Sequence, residues 1–346
     1  MQANIREIAA DALTEAAAGK KKPMNVLGDT LSKYAYLSKQ DRSFLNRLFR
    51  GTYEQEIRLD HIISRFAKTG AKKMRPFIRA LLRISVYQIC FMDHVPDSAA
   101  VNEAVKIVKR RGFASLAGFV NGVLRNISRQ KDSITYPDPA ADPAGYISIM
   151  YSLPAFIADM WIKRYGFEAA ETMARAGIEA DRALTLCVFG DEEKQAGVRQ
   201  AFEAAGVRAE GGAYCKNALK VTDFDTVAAL PLFNEGAYQV QDESSMLSVL
   251  AAGIKPGDTV IDVCAAPGGK SIYAAHLTGE NGCVVARDIS EFKTDIIREN
   301  AARTGMRNML IRTQDALVFT PDYEEKADVL IADLPCSGLG VIGKKP

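Results

Sequence analysis

The chain has 346 residues, more than one hydrophobic core usually organises, so two or three domains are expected. Apolar residues make up 48% and charged residues 25%, the usage of a globular chain rather than a disordered one. Charges interrupt every apolar stretch of the N-terminus and no segment approaches the roughly 18 apolar residues of a membrane span, so neither a secretory signal nor a membrane helix is expected, and a cytoplasmic location is.

The formal charge of +2 conceals an asymmetry. Residues 1–131 hold 24 Lys/Arg against 11 Asp/Glu, a net of +13, whereas the other 215 hold 20 against 31, a net of −11. A basic half joined to an acidic half points to a polyanion-binding module tethered to something else. The six cysteines include no C-x-x-C pair and the three histidines cluster with none of them, so no metal site is expected.

Residues 1–131 show apolar positions recurring at three and four, as in Phe44, Leu45, Leu48 and Phe49, then Phe77, Ile78, Leu81 and Leu82, then Phe119, Val120, Val123, Leu124 and Ile127. That spacing predicts an all-α bundle. Breakers fall at Lys22-Pro23 after the first helix, at Gly70 with Pro76 before the third, and at Val95-Pro96-Asp97-Ser98 ahead of a helix beginning near Ala99. Basic residues accompany the turns and exposed faces: Lys20-Lys21-Lys22, Lys72-Lys73 with Arg75, and Lys109-Arg110-Arg111. A single triplet is most often a solvated face, but the whole set favours contact with nucleic acid.

The stretch Thr135 to Pro143 carries three prolines in nine residues and is read as the domain boundary, giving a linker at 132–144. Residues 145–250 mix helices (Leu153 to Tyr165, Glu168 to Ile178, Glu192 to Ala205) with short strands (Ala183 to Phe189, Ala218 to Val221), as in a small α+β subdomain. Over 251–346 strands alternate with helices: Thr259 to Val263, Cys283 to Arg287, Met309 to Thr313 and Val329 to Ala332, with helices starting near Lys270 and Ser290. This is the pattern of an α/β Rossmann-like core.

The first of these strands runs into Asp262-Val263-Cys264-Ala265-Ala266-Pro267-Gly268-Gly269-Lys270 and then a helix. Adjacent glycines let a ligand approach the backbone, and a helix N-terminus offers it unpaired N–H groups. Spacing separates three cofactors. A P-loop would need glycine where Cys264 stands, and a dinucleotide fingerprint is not supplied by Ala266 to Ser271. S-adenosylmethionine needs a carboxylate at the end of the second strand for its ribose hydroxyls, which Asp288 provides. Asp315, past the third strand, can accept from an adenine amino group, and Asp333 ends the fourth. One strand-end aspartate is usually a turn or cap residue, but three at successive strand ends favour a cofactor site.

Asp333-Leu334-Pro335-Cys336 follows the fourth strand, placing a thiol where enzymes that methylate exocyclic amines carry a proline and an aromatic ring. Carbon 5 of cytosine is too electron-poor to attack a methyl sulfonium, and a cysteine thiolate adding to carbon 6 activates it. Cys336 is therefore the candidate catalytic residue, and cytosine the candidate base.

With these motifs the chain resembles, over essentially its whole length, the RsmB (Sun or Fmu) family of bacterial 16S rRNA cytosine-C5 methyltransferases. Gly118 to Arg125 resembles a helix of the family's NusB-like RNA-binding domain, and Tyr238 to Met246 the segment leading into its methyltransferase core. Cys264 to Lys270 and Asp333 to Gly340 are the most specific matches. The resemblance implies a NusB-like bundle at 1–131 gripping 16S rRNA and a core at 251–346 binding S-adenosylmethionine. In that core Cys264, Ala265, Ala266, Pro267, Gly268, Gly269 and Lys270 would wrap the cofactor. Asp288 would hold the ribose, Asp315 the adenine, and Asp333 would lie near the methionine end and the target base. Cys336 would match the thiol that assists release of the methylated base.

In the family's RNA enzymes the nucleophile is a second cysteine in a Thr-Cys motif on a fifth strand, and no Thr-Cys pair occurs here. The reading is of an incomplete core, truncated at the C-terminus, from which weak cofactor binding and poor turnover are expected; the alternative is that Cys336 acts alone. Two rivals stand beside it: a non-catalytic NusB-like RNA-binding protein with a vestigial methyltransferase half, and a DNA cytosine-C5 methyltransferase.

Overall fold

In the computed structural model, residues 4–179, 183–224 and 226–342 are described. The side chain of Lys72, one of the basic cluster named above, and residues 343–346 of the expected core lie outside that description. The chain forms two compact units, one built from residues 4–179 with 339–342 and the other from residues 183–338.

The first unit opens with seven α-helices: α1 (Ile5–Ala17), α2 (Pro23–Lys33), α3 (Lys39–Glu54), α4 (Glu56–Phe66), α5 (Pro76–Phe91), α6 (Asp97–Arg110) and α7 (Ala117–Gln130). Asn4 caps α1 by accepting from the Glu7 N–H, Ser38 caps α3 by accepting from that of Asp41, and Pro23 and Pro76 open their helices where no N–H is required. Pro76 thus begins the fifth helix, not the third. Helices α3 and α4 meet at Gln55 with neither proline nor glycine between them, so nothing in the pattern marks the break. Helix α6 starts at Asp97 rather than Ala99, immediately after Pro96.

Helix α5 is the hub, buried almost without interruption from Phe77 to Ile89, while α7 buries Val120, Val123, Leu124 and Ile127 along one stripe. These join one core running from Ile8 to Ile127. Arg83 on α5 enters it paired with Glu56 at 2.6 Å and Asp60 at 2.7 Å on α4. Arg110 pairs with Glu7, and Arg111 with Glu7 and Asp11, tying α6 to α1. Two of the three cations in that triplet are therefore engaged in holding the bundle together.

The proline segment, expected to separate domains, runs inside the first unit. Arg65 donates to the Thr135 hydroxyl at 2.9 Å and Arg58 to the Tyr136 hydroxyl at 3.1 Å, strapping it along α4. Proline ends an element but does not carry the chain away from its neighbours. Three helices follow, α8 (Pro143–Met150), α9 (Ala155–Tyr165) and α10 (Phe167–Ile178), around Ile147, Trp161 and Ala170. They stay with the first unit, so region 145–250 is divided between the two rather than forming one subdomain.

The second unit begins with β1 (Leu184–Val188), α11 (Glu192–Ala204), β2 (Arg208–Gly211), β3 (Ala218–Thr222) and β4 (Tyr238–Val240), forming an antiparallel sheet of order β2-β3-β1-β4. Then come α12 (Glu243–Ala251), β5 (Thr259–Asp262), α13 (Gly269–Thr278), β6 (Cys283–Asp288), α14 (Glu291–Thr304), β7 (Met309–Thr313) and β8 (Val329–Ile331). The last four strands are parallel in the order β7-β6-β5-β8, with Val260 opposite Val284 and Val329. The parallel sheet is that of the α/β class expected from the sequence. A shared cluster of Cys187, Phe189, Ala218, Val260, Ile272 and Val284 joins the two sheets.

The segment from β4 to α12 is pinned by Glu243. Its buried carboxylate accepts from the backbone N–H of Ala213 (3.2 Å), Tyr214 (2.7 Å) and Cys215 (3.0 Å). Burial alone would push this carboxyl up, but the three donors hold it below the usual glutamate range. In Glu243→Gln an amide NH2 must face one of these N–H groups, so urea unfolding should show a loss of about 1–3 kcal/mol.

Candidate cofactor-binding site

All four parallel strands of the second unit point their C-terminal ends to one edge, so the aspartates that close or follow them gather there. Asp262 ends β5 and Asp288 ends β6, while Asp315 and Asp333 each lie two residues past β7 and β8. Between Asp262 and α13 runs the loop Val263 to Gly268. Gly268 has φ +103°, a conformation L side chains rarely adopt, and an added Cβ would also crowd Ile297 at 3.3 Å. Gly269 has ordinary room for one, so the chain's own packing requires only the first glycine of the pair.

Two buried carboxylates hold this loop. Asp262, 1% exposed, accepts from the Ser271 hydroxyl at 2.6 Å and the Cys264 N–H at 3.3 Å, linking strand end, loop and first helical turn. Burial pushes its carboxyl up to about 6, a rise that the Ser271 and Cys264 hydrogen bonds and the Lys270 charge only partly offset. Asp288 accepts from the Ala266 N–H at 3.0 Å, the Ile289 N–H at 2.8 Å and the Lys293 ammonium at 2.9 Å. Burial again acts upward, but Lys293 and the two N–H groups outweigh it and keep this carboxyl below the usual range.

The remaining expected residues fall as follows. Lys270, on the first turn of α13, donates to Asp333 at 2.6 Å and to the Ser245 hydroxyl at 3.4 Å. Asp315 accepts from the Leu317 N–H at 2.9 Å, a local turn that leaves its second oxygen unused among the described residues. Cys264 is half-buried, and burial, then the charges of Asp288 and Asp262, push its thiol up. Cys336 is exposed, three residues past Asp333, and no hydrogen bond or ion pair among the described residues joins it to the loop.

Three participants carried no sequence signal that singled them out. Asp262 reads as one residue of the strand Thr259 to Val263. Gln239 and Gln241 flank Val240, and their β4 neighbourhood has no period that points at a loop 30 residues away. Gln239 donates to the Gly269 carbonyl at 2.7 Å and to the Gln241 carbonyl oxygen at 2.8 Å, whereas the buried Gln241 Nε2 has no partner among the described residues. A buried orphan donor beside a helix N-terminus fits a ligand that brings an acceptor. Among the described residues no group of three or more His, Cys, Asp and Glu side chains could hold a metal ion. Nor is any described helix long and apolar enough to cross a membrane.

Residues 3–129 match the NusB family, and residues 249–346 match the family described as 16S rRNA methyltransferase RsmB/F. The chain is 36% identical over 344 residues to the Probable ribosomal RNA small subunit methyltransferase B of Bacillus subtilis (strain 168), covering 99% of this chain and 76% of that protein. The chain belongs to the ribosomal RNA small subunit methyltransferase B family. Its likeness to the family's Pseudomonas syringae pv. tomato member is 27% identity over 347 residues, 99% of this chain and 74% of that one. The solved structure of PH0851 superposes with a TM-score of 0.77 at 21% identity, over 100% of this chain and 77% of that one, a likeness of fold. A methyltransferase homolog protein from Pyrococcus horikoshii gives a TM-score of 0.50 at 24% identity, over 60% of this chain and 66% of that one.

The raised carboxyl of Asp262 has a pH consequence. The folded state holds this proton up to about pH 6, and the unfolded chain releases it near pH 4. Between those values the folded state binds more protons, so this group's contribution to stability falls as pH rises. In Asp262→Asn that contribution is removed. The stability of wild type minus that of the variant, from urea unfolding, should therefore decline between pH 4 and 6 and be flat above about 7.

Proposed function

We propose that this chain is an S-adenosylmethionine-dependent methyltransferase acting on carbon 5 of a cytosine in 16S rRNA, with residues 1–131 as its RNA-binding part. The observation that carries the reading is a convergence at one sheet edge. The loop Cys264 to Lys270 is fixed there by buried carboxylates and flanked by Asp288, Asp315 and Asp333.

S-adenosylmethionine, when bound, supplies an electrophilic methyl group. The residues of the chain bind and orient around it. Asp288 is the ribose acceptor; three of its roughly four lone-pair positions are taken, and the half-exposed Lys293 is the partner it can release at little cost. Asp315 has an oxygen for the adenine amino group. Lys270 and the N–H groups opening α13 supply positive potential for a carboxylate, and Asp333 holds Lys270 in place.

Cys336 directs the reaction to cytosine. A thiol after Pro335 is of no use to an exocyclic amine, whereas cytosine carbon 5 must be activated by a thiol at carbon 6 and freed from it afterwards. We assign Cys336 the role the family gives its Pro-Cys thiol, release of the methylated base; the thiol that adds to carbon 6 would be the family's Thr-Cys cysteine, which residues 1–346 do not include. The net charge of +13 over residues 1–131 supplies affinity for the rRNA backbone, which falls as salt rises.

The test is transfer of a labelled methyl group to unmodified 16S rRNA, followed by digestion to nucleosides, with duplex DNA as a parallel substrate at the same salt. Label should appear in 5-methylcytidine from the RNA alone, at poor turnover because residues 1–346 hold no Thr-Cys nucleophile. Cys336→Ser should lower kcat at least about a hundredfold, the scale of a positioned group acting in bond cleavage, with cofactor affinity unchanged. Label in another nucleoside, or in the DNA, contradicts the reading.

A further inference from the structure

The carboxamide of Gln241 is 5% exposed, and its Nε2 has no hydrogen-bond partner among the described residues. Its orientation is fixed by a chain of bonds. The Gly269 carbonyl can only accept, so the Gln239 atom facing it is the Nε2 donor, and the Gln241 atom facing that same Nε2 must be oxygen. The NH2 end of Gln241 therefore points elsewhere, with two N–H groups to satisfy. Leaving such a group unpaired in a native fold is costly, so a partner from outside the chain is expected.

The position of Gln241 says which part of a ligand that partner is. The Gln241 carboxamide carbon lies 3.9 Å from where a Cβ on Gly269 would stand, against the backbone that opens α13. Ser245, four residues on, contacts the Lys270 ammonium, which pairs with Asp333 after β8. Asp288 and Asp315 follow β6 and β7, on the other side of β5. Gln241 is thus on the side of the loop away from the ribose and adenine carboxylates. There the N–H groups opening α13 and an amide donor meet beside the Lys270 ammonium, which is paired with Asp333, and those N–H groups and the amide are donors for an anion.

We propose that Gln241 is a cofactor-binding residue, donating from Nε2 to the carboxylate of the amino-acid end of S-adenosylmethionine at the start of α13. The assignment rests on the reading under Proposed function. It extends the cofactor site beyond the loop to the segment after β4, so that Gln239 becomes a positioning residue that sets the Gln241 amide.

The test is calorimetric titration of the full chain with two ligands: S-adenosylhomocysteine, and 5′-methylthioadenosine, which keeps adenine and ribose but has no amino-acid end. Gln241→Leu should bind S-adenosylhomocysteine at least about tenfold more weakly, the scale of a lost bond to a charged group, and methylthioadenosine as wild type does. Gln241→Glu keeps the acceptor for Gln239 while setting a carboxylate against the ligand's own. It should weaken S-adenosylhomocysteine at least as much, again sparing methylthioadenosine, and it decides the matter if the leucine variant does not fold. Equal losses for both ligands, or no loss for either, overturn the role of Gln241 while leaving the cofactor reading intact. Wild-type protein that binds neither ligand overturns that reading, and this inference with it.

Discussion

The site depends on two carboxylates buried at the ends of adjacent strands. Asp262 and Asp288 are 1% and 4% exposed, and each reaches out of the sheet to take an N–H from the same loop. An ionised group in that position is tolerated only when its lone pairs are met. Asp288 meets the condition with two backbone donors and an ammonium, and its carboxyl is held low. Asp262 has one hydroxyl and one long N–H bond, and its carboxyl is pushed up. The loop between them cannot shift without leaving one of the two unsatisfied, so its backbone is fixed before any ligand arrives. That preorganisation is what a cofactor loop needs, because ordering it on binding would subtract from affinity.

From this constraint the rest of the edge follows. Parallel pairing in the order β7-β6-β5-β8 sets Asp315, Asp288, the loop and Asp333 in a row. Negative groups on the β6 and β7 side suit hydroxyls and an amino group, while Lys270 and the opening turn of α13 suit a carboxylate. The antiparallel sheet contributes by way of β4, whose exit delivers Gln239, Gln241 and Ser245 to the start of α13, held by Glu243 and its three backbone donors.

Much of this was legible in the sequence, for identifiable reasons. The strands from Thr259, Cys283, Met309 and Val329 are short apolar runs bounded by polar turns, and alternation with helices leaves a parallel sheet as the economical arrangement. Once that is known, strand-end aspartates must share an edge. Helix α7 was readable because its buried stripe holds its period for two full turns. The junction of α3 and α4 was not, since Gln55 breaks the helix without a breaker residue. The unit boundary was misplaced for a related reason: three prolines end secondary structure, but Arg58 and Arg65 bind the segment back to α4, and long-range hydrogen bonds leave no trace in composition. Arg110 and Arg111 read as available cations until Glu7 and Asp11, a hundred residues earlier, were placed beside them. Gln241 stands in the sequence only as one residue of the matched segment Tyr238 to Met246, and what singles it out is its bond with Gln239, which also donates to the Gly269 carbonyl.

The most direct test of the account is amide hydrogen exchange on the full chain with and without S-adenosylhomocysteine. Ligand should slow exchange at residues 263–270, 288–293 and 314–317, the loop and the two strand-end segments beside it, and leave the helices of residues 4–130 unchanged. Unchanged exchange across those three segments at saturating ligand, or protection confined to the helical part, would contradict the placement of the cofactor at this edge.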